Sequence, residues 1–258
     1  MLLFVALAAV GPWLQPADPG FVRLDDRLLP PLRGSVLGTD QLGRDVFARL
    51  LDGLVWSLGV AGGATVMALA IGLLVGLLSV AGPGPVVRAV RRFLDLTMSL
   101  PTLVIAIALI AIVGQGFWPL VVVLGVVSWP VFARVVEAEG LAVKQRDFVL
   151  AARLYNVSEA AILLRHIVPS VWRSVIVICA FHFADMLIAE SALSFLGVGA
   201  PLGEPTWGNM LAESRQYLHN APWLMLAPAL AIVSVVVSVN LFGDYLIAKV
   251  TRSGERGG

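Results

Sequence analysis

The stretch that decides the class of this protein is 54–81, LVWSLGVAGGATVMALAIGLLVGLLSVA, which contains no Asp, Glu, Lys or Arg. An α-helix rises about 1.5 Å per residue, so about 20 apolar residues cross the hydrocarbon core of a bilayer. The stretch therefore predicts a membrane-spanning helix. Gly59 and Gly63, and again Gly72 and Gly76, are four residues apart. Because this spacing lets helix backbones approach closely in lipid, we interpret these glycines as packing positions within a bundle.

The composition of the whole chain agrees with this interpretation. Of the 258 residues, 59% are hydrophobic and 14% are charged, and the mean hydropathy is +0.90. Soluble domains average about 45–50% apolar and about 25% charged residues. We predict an all-α membrane protein of about six transmembrane helices, of which the first looks short and the fourth is interrupted by Pro130. The five further spans are 1–14, 94–113, 118–136, 171–196 and 223–247.

The distribution of basic residues predicts the orientation, because cytoplasmic loops carry an excess of Lys and Arg. If the N-terminus is inside, twelve of the 18 basic residues fall on the cytoplasmic side, so we expect both termini in the cytoplasm. The net charge of +1 gives no reason to expect a nucleic-acid partner. The single cysteine, Cys179, lies in an apolar stretch and has no intrachain partner for a disulfide.

A polar segment between the fourth and fifth spans carries the first of two predicted short helices. Asp147 is a residue type that caps helices, so we predict a helix from Phe148 onward. Its positions 148, 151, 152 and 155 share one face at helical spacing. Asn156 follows, and Asn adopts the left-handed conformation that often ends a helix. A face of two alanines beside aromatic residues is suited to a groove on another protein.

The second short helix has its own start and stop signals. Ser158 is a capping residue and Glu159 is favourable in a first turn, while Arg165 and His166 suit a last turn. Pro169 then predicts the end of the helix. The segment is therefore expected to form two short helices joined by a tight turn, on the cytoplasmic side.

The segments VLAARLYN at 149–156 and LRHIVP at 164–169 resemble the "EAA" loop of binding-protein-dependent ABC importer permeases. The resemblance implies that a coupling helix within about 140–170 docks into a cleft of an ATP-hydrolysing subunit. Leu150 stands where the family usually has Glu, and Asn156 stands where it usually has Gly. The residues to which this docking role is carried over are Asp147, Phe148, Leu150, Ala151, Ala152, Tyr155, Asn156 and Pro169.

Four further segments are similar to the second permease of the dipeptide, oligopeptide and nickel importers. They are LGTDQLGRDVFARLL at 37–51, ESALSFLGVG at 190–199, PTWGNML at 205–211 and NLFGD at 240–244. The resemblance implies the type I ABC importer permease fold, with residues 1–53 forming the first helix and an outer segment and 54–258 the permease core. It also implies a bacterial inner membrane location.

The same resemblance implies a set of partners. They are two ATP-binding subunits, a second and non-identical permease, and an extracytoplasmic solute-binding protein. ATP and Mg would be bound by the partner subunits, with no cofactor in this chain, which lacks a GxxxxGK[ST] phosphate loop.

Three ionisable residues of the fifth span are candidates for a solute pathway or gate: His182, Asp185 and Glu190. Such groups are costly in a membrane and are functional candidates by default. His182 and Asp185, three residues apart, could instead pair with each other. The three do not share one helix face, so no metal site is expected. The segment 38–45 has two interpretations, a surface that receives a binding protein or a turn and cap before the second span.

The leading hypothesis is thus a permease subunit of an ATP-driven importer for peptides or related small solutes, not an enzyme. An importer of the same type that carries nickel or a metal–chelator complex is the alternative. A stand-alone secondary transporter or channel would predict internal repeats, and a membrane enzyme or scaffold would need a site; the sequence contains neither signal.

Overall fold

The computed structural model describes residues 20–33, 35–82 and 84–255, with the backbone alone from 250 onward. The first predicted span, 1–14, lies outside these residues. The described part is helical, and its one extended pairing is an isolated bridge between Thr39 and Asp45. The helices are α1 Val46–Ala81, α2 Gly84–Met98, α3 Thr102–Val113, α4 Phe117–Lys144, α5 Asp147–Leu154, α6 Glu159–Ile162, α7 Val168–Phe195, α8 Trp207–Ser214 and α9 Trp223–Glu255.

Four helical stretches of the described chain are long and apolar enough to cross a membrane, and there are five if α2 and α3 together form one bent span. This finding confirms the all-α membrane class. The second span begins at Val46, earlier than the predicted position 54, because Asp45 caps the helix. The Asp45 carboxylate accepts hydrogen bonds from the backbone N–H groups of Phe47 and Ala48, at 2.7 and 3.2 Å.

The predicted third span, 94–113, is wrong as a single helix. Helices α2 and α3 meet at an angle of 89° around residues 99–101. Pro101 is the N-cap of α3. Proline lacks a backbone N–H and disfavours the helical conformation at the preceding residue, which favours a break in the helix at this point.

The two prolines that were expected to interrupt helices lie inside continuous ones. Pro130 lies within α4, which extends to Lys144. Pro169 does not end the second short helix, because α6 continues through a π-helical turn, Leu163–Ile167, into α7. In this wider turn the Val168 N–H donates to the Leu163 carbonyl, five residues back. The helix is thus already widened directly before Pro169, which has no N–H to donate. Glu159–Phe195 is therefore one long rod.

Helices α1 and α4 pack side by side and run in the same direction. A Cβ on Gly72 would lie 2.5 Å from the Phe132 Cβ, and one on Gly76 would lie 2.6 Å from the Val136 Cβ. Such distances exclude any side chain, so the glycines pack within the bundle as predicted. Helix α7 returns in the opposite direction, whereas α9 starts beside the start of α1 and runs in the same direction as α1. The Phe181 ring of α7 packs against Gly243 of α9.

This topology gives the bundle two distinct ends, each with its own hydrophobic core. One core lies between the start of α1, the end of α7 and the helix α8, and it includes Val46, Leu193 and Trp207. The other surrounds the end of α1, the end of α4 and the two short helices. At about 1.5 Å per residue, α1 separates the two ends by about 46 Å between Arg49 and Val80.

Candidate functional site

The two short helices form a hairpin, residues 147–167, at the end of the bundle where α4 terminates. Three side chains anchor it: Val149 and Ile162 are fully buried and Ile167 is 1% exposed. All three belong to the second hydrophobic core, together with Val136 and Val143 of α4. The hairpin is therefore fixed to the membrane bundle by its apolar side.

The turn between the two helices is set by Asn156, which adopts a φ of 56°. The N–H of Val157 donates to the Ala152 carbonyl at 3.1 Å, and the N–H of Asn156 donates to the Arg153 carbonyl at 3.0 Å. This is the hydrogen-bond pattern of a Schellman motif. It confirms the prediction that Asn156 ends the first helix in the left-handed conformation.

The N-cap of the second hairpin helix is the predicted residue, whereas the first hairpin helix begins one residue earlier than predicted. The Ser158 hydroxyl accepts a hydrogen bond from the Ala161 N–H at 3.3 Å, as predicted. The first helix begins at Asp147 itself, and its N-cap, Arg146, makes no side-chain cap. The Asp147 carboxylate still lies in the first turn, where the helix dipole favours a negative charge.

The opposite side of the hairpin exposes a set of large apolar side chains, which we call the hairpin face. Ala151 belongs to the same exposed side, whereas Ala152 is half-buried. Contiguous exposed apolar groups at one place mark an interaction surface. The sequence interpretation missed Leu154, although it is more exposed than Phe148. The exposed fractions on this face are Phe148 45%, Leu150 46%, Leu154 84%, Tyr155 85% and Leu164 66%.

The other end of the bundle contains a buried ion cluster of Asp40, Arg44, Arg49 and Glu213. Arg49 donates to the carboxylates of Asp40 at 2.7 Å and Glu213 at 2.8 Å. Arg44 also donates to both carboxylates, at 2.7 Å to Asp40 and 3.2 Å to Glu213. The side chains of Asp40 and Arg49 are 2% and 3% exposed. The cluster joins the start of α1 and the segment before it to α8. Glu213 lies 164 positions after Arg49 and 169 positions after Arg44 in the sequence.

The loop before α1 is shaped to hold this cluster. The Asp40 carboxylate accepts from the N–H groups of Leu42 and Arg44, at 2.8 and 2.9 Å. Gly43 has a φ of 74°, and a Cβ there would lie 1.8 Å from the Arg23 carbonyl oxygen. The turn-and-cap interpretation of 38–45 therefore describes its geometry, but sequence reasoning missed the ion cluster. The available signal was the run of charges at 40, 44 and 49 beside an apolar span.

Glu213 is held ionised by its partners. Burial acts to raise the pKa of this carboxyl, but the Arg49 hydrogen bond and charge, the Gln41 amide and the Arg44 charge outweigh it. The pKa of Glu213 consequently lies below its ordinary value.

The three pathway candidates lie at different places along α7. His182 is 3% exposed, and its Nδ1 lies 3.3 Å from the Thr65 hydroxyl, while its ring lies 4.7 Å from that of Phe132. Asp185 is exposed and forms no ion pair with His182 in the described structure, so the pairing considered from the sequence does not occur. Both residues nevertheless line one groove between α2–α3, α4 and α7.

Glu190 lies apart from that groove and is fully buried. Its carboxylate accepts from the hydroxyls of Ser194 at 2.9 Å and Ser191 at 3.3 Å. Gly208 of α8 packs against the backbone of Ser191, where a Cβ would lie 2.4 Å from the carbonyl oxygen. Glu190 is therefore bonded within α7, to the two serines that Gly208 of α8 packs against.

The charged side chains near the end of α4 form ion pairs. Glu137 is 4% exposed and pairs with Arg91 of α2 and with Arg134, the latter at 3.7 Å. Arg134 also pairs with Asp95. These contacts attach the amphipathic helix α2 to α4.

Comparisons with known proteins agree with this architecture. The family model described as "Binding-protein-dependent transport system inner membrane component" matches residues 53–252. The chain is 35% identical to a di/tripeptide transport system permease protein, DppC, of Pseudomonas aeruginosa, over 95% of this chain and 83% of the relative. It is 31% identical to a dipeptide transport system permease protein of Alkalihalophilus pseudofirmus, over 94% and 80%.

Solved structures share the fold at lower sequence identity. A chain of the methionine ABC transporter MetNI, in an inward-facing conformation, superposes with a TM-score of 0.65 at 21% identity, covering 78% of this chain and 95% of that one. A chain of an amino acid ABC transporter gives 0.58 at 17% identity, covering 80% and 94%. The helical bundle, the hairpin and the matched sequences lead to one conclusion: this multi-pass membrane chain belongs to the family of binding-protein-dependent transport system inner membrane components, the permease subunits of ABC transporters.

Proposed function

We propose that this chain is the permease of an ATP-driven importer of short peptides or related small solutes, and that the hairpin docks on an ATP-hydrolysing subunit in the cytoplasm. The observation that carries the proposal is the hairpin face, with Leu154 84% and Tyr155 85% exposed on a hairpin whose base is buried. A rigidly anchored apolar surface of this kind suits a partner that presents a groove. The names of the relatives support peptides as the solute class.

The orientation follows from charge. The hairpin and its flanks carry Lys144, Arg146, Arg153 and Arg165, and a cytoplasmic location satisfies the preference of basic loops for that side. The ion cluster then faces the outside of the cell membrane of a bacterium. There an extracytoplasmic binding protein would deliver the solute.

The continuous rod Glu159–Phe195 supplies a route for coupling. It begins in the hairpin and passes the groove that contains His182 and Asp185. Movement of the ATP-hydrolysing subunits would displace the hairpin, and the rod would transmit that displacement to the groove as a rigid-body motion. ATP and Mg would bind to the two partner ATPases, and a second, non-identical permease would complete the pathway.

The test is copurification of the tagged chain with its ATP-hydrolysing neighbours. Leu154→Asp places a charge on the hairpin face, so we expect recovery of the ATPase to fall by at least about tenfold, the equivalent of ~1.4 kcal/mol. The matched control is Leu202→Asp, because Leu202 is 89% exposed in the loop after α7, at the opposite end. Undiminished ATPase recovery with Leu154→Asp, or an equal loss with Leu202→Asp, would contradict the docking site.

A further inference from the structure

The groove lined by His182 and Asp185 has a volume of about 340 Å³, within the range of small-ligand sites. Its walls are the α2–α3 bend, α4 and α7, and its polar groups include the hydroxyls of Thr97, Thr102 and Ser128. Asp185 lies ten residues before the end of α7, or about 15 Å along the helix, half the thickness of a hydrocarbon core. With the end of α7 at the membrane surface, the groove lies near the middle of the bilayer, where a transported solute must pass.

The charge in the groove is unbalanced. Asp185 and His182 are the ionisable residues of its described lining, which contains no Lys or Arg. The Asp185 carboxylate has no hydrogen bond or ion pair within the described chain. A carboxylate at membrane depth is costly unless a cation accompanies it. The described lining of the groove supplies no such cation.

The ring of His182 is enclosed by its neighbours. The Thr65 hydroxyl donates its one proton to the Ala61 carbonyl at 2.8 Å, so toward His182 it can act only as an acceptor from Nδ1–H. The Nε2 atom is buried without a hydrogen-bond partner in the described structure, so it does not reach a solute, and Asp185 is the exposed ionisable group of the lining. The Ser128 backbone lies near the ring but forms no hydrogen bond of good geometry with it.

We propose that this groove is a solute site that receives the α-ammonium group of a peptide, with the Asp185 carboxylate as its charge partner. An exposed carboxylate without a partner fits an ammonium group, which offers three N–H donors and one positive charge. The inference rests on the proposed function, since it concerns the solute of that same importer. A cation supplied by the partner permease is the competing occupant.

The first test uses the assembled importer in lipid vesicles and measures uptake of dialanine. With Asp185→Asn we expect initial uptake to fall by about tenfold, the typical effect of losing one charged hydrogen bond, and with Asp185→Glu we expect partial recovery. The matched control is Asp244→Asn, which neutralises an exposed carboxylate of α9 outside the groove. Loss of subunit assembly in Asp185→Asn would instead assign Asp185 to a partner cation and overturn the proposal.

The second test measures occupancy directly, through protection of a thiol. In a Cys179→Ser background, Thr102→Cys places a thiol in the groove, and Val66→Cys places one in a separate apolar groove between α1, α7 and α9. We expect dialanine to slow labelling by N-ethylmaleimide at position 102 but not at 66. N-acetyl-dialanine, which has no ammonium group, should not protect, and Asp185→Asn should abolish protection by dialanine.

The outcomes separate this inference from the proposed function. If the unaltered importer takes up dialanine but the two peptides protect equally, or neither protects, the ammonium site is wrong while the importer assignment stands. If the unaltered importer takes up no peptide, the proposed solute class fails, and the ammonium site fails with it.

Discussion

The two ends of this bundle hold their charged and apolar groups in opposite ways. At the end with the ion cluster, charged side chains are buried or half-buried and are paired with partners from distant parts of the chain, as for Arg49 and Glu213. At the hairpin end, apolar side chains such as Leu154 are exposed, and the ion pair of Arg153 with Glu159 lies at the surface. The ion cluster is satisfied by its own contacts, whereas the hairpin face has no cover within the described chain.

The difference predicts where a substitution acts. Breaking a buried ion pair leaves an uncompensated charge inside the protein and lowers stability strongly. Changing an exposed group at a docking surface leaves the isolated chain nearly unchanged and acts on the assembly. The same kind of substitution at the two ends should therefore separate stability from association.

The largest effect is expected from Arg49→Gln. Arg49 contacts both carboxylates of the cluster, so its loss leaves Asp40 and Glu213 with Arg44 as their remaining cation. We expect destabilisation by about 3–5 kcal/mol. The measurement is the apparent melting temperature of the purified chain in detergent, followed by circular dichroism.

The control for Arg49→Gln is Arg23→Gln in the same N-terminal segment. Arg23 pairs with Asp26 at 3.9 Å, and its side chain is 61% exposed. An exposed pair of this length contributes little, so the melting temperature should stay near that of the unaltered chain. Equal effects of the two substitutions would remove the distinction between a buried cluster and a surface pair.

Acid should weaken the ion cluster through Glu213. The pKa of Glu213 is lower in the folded chain than its ordinary value of 4.5. A group with a depressed folded pKa contributes stability above the ordinary value, and this contribution is lost as the pH falls through the folded value. We expect the melting temperature of the unaltered chain to fall below about pH 4.5 more steeply than that of Glu213→Gln. Parallel pH profiles would show that Glu213 does not carry this dependence.

A smaller effect is expected at the turn of the hairpin. Asn156 has a φ of 56°, which costs a β-branched residue roughly 1–2 kcal/mol. Asn156→Val should increase hydrogen exchange of the hairpin amides, whereas Asn156→Gly should leave it near the original level, since glycine adopts this conformation freely. Faster exchange at the ion-cluster end in Asn156→Val would contradict the independence of the two ends.

Sequence patterns predicted what depends on neighbours along the chain. The apolar run of α1, the left-handed Asn156 and the Ser158 cap each follow from local chemistry. The bend at Pro101 and the π-helical turn directly before Pro169 did not follow from the sequence, although both features involve proline. Whether a proline ends a helix depends on whether the surrounding packing can hold a widened turn, and no local pattern encodes that packing.

The candidate sites divide in the same way. The hairpin residues were identified because their spacing and family resemblance are contiguous in sequence. The ion cluster requires knowing that Glu213 folds back onto Arg44 and Arg49, contacts across 169 and 164 positions for which the sequence contains no periodic signal. The groove was half predicted, since His182 and Asp185 were named but the Thr65 contact that fixes the tautomer of His182 comes from α1.

The smallest effect is expected from Arg153→Gln, the counterpart of Arg49→Gln at the hairpin end. Arg153 pairs with Glu159 at 2.8 Å, but the side chains are 36% and 56% exposed, so water screens both charges. We expect a change in stability within about 1 kcal/mol, and hence a melting temperature close to that of the unaltered chain. Recovery of the ATP-hydrolysing subunit should also stay above that of Leu154→Asp, because an apolar face, and not this ion pair, is proposed to make the docking contact. A melting temperature as low as that of Arg49→Gln would mean that the hairpin, too, depends on its charges, and the contrast between the ends would fail.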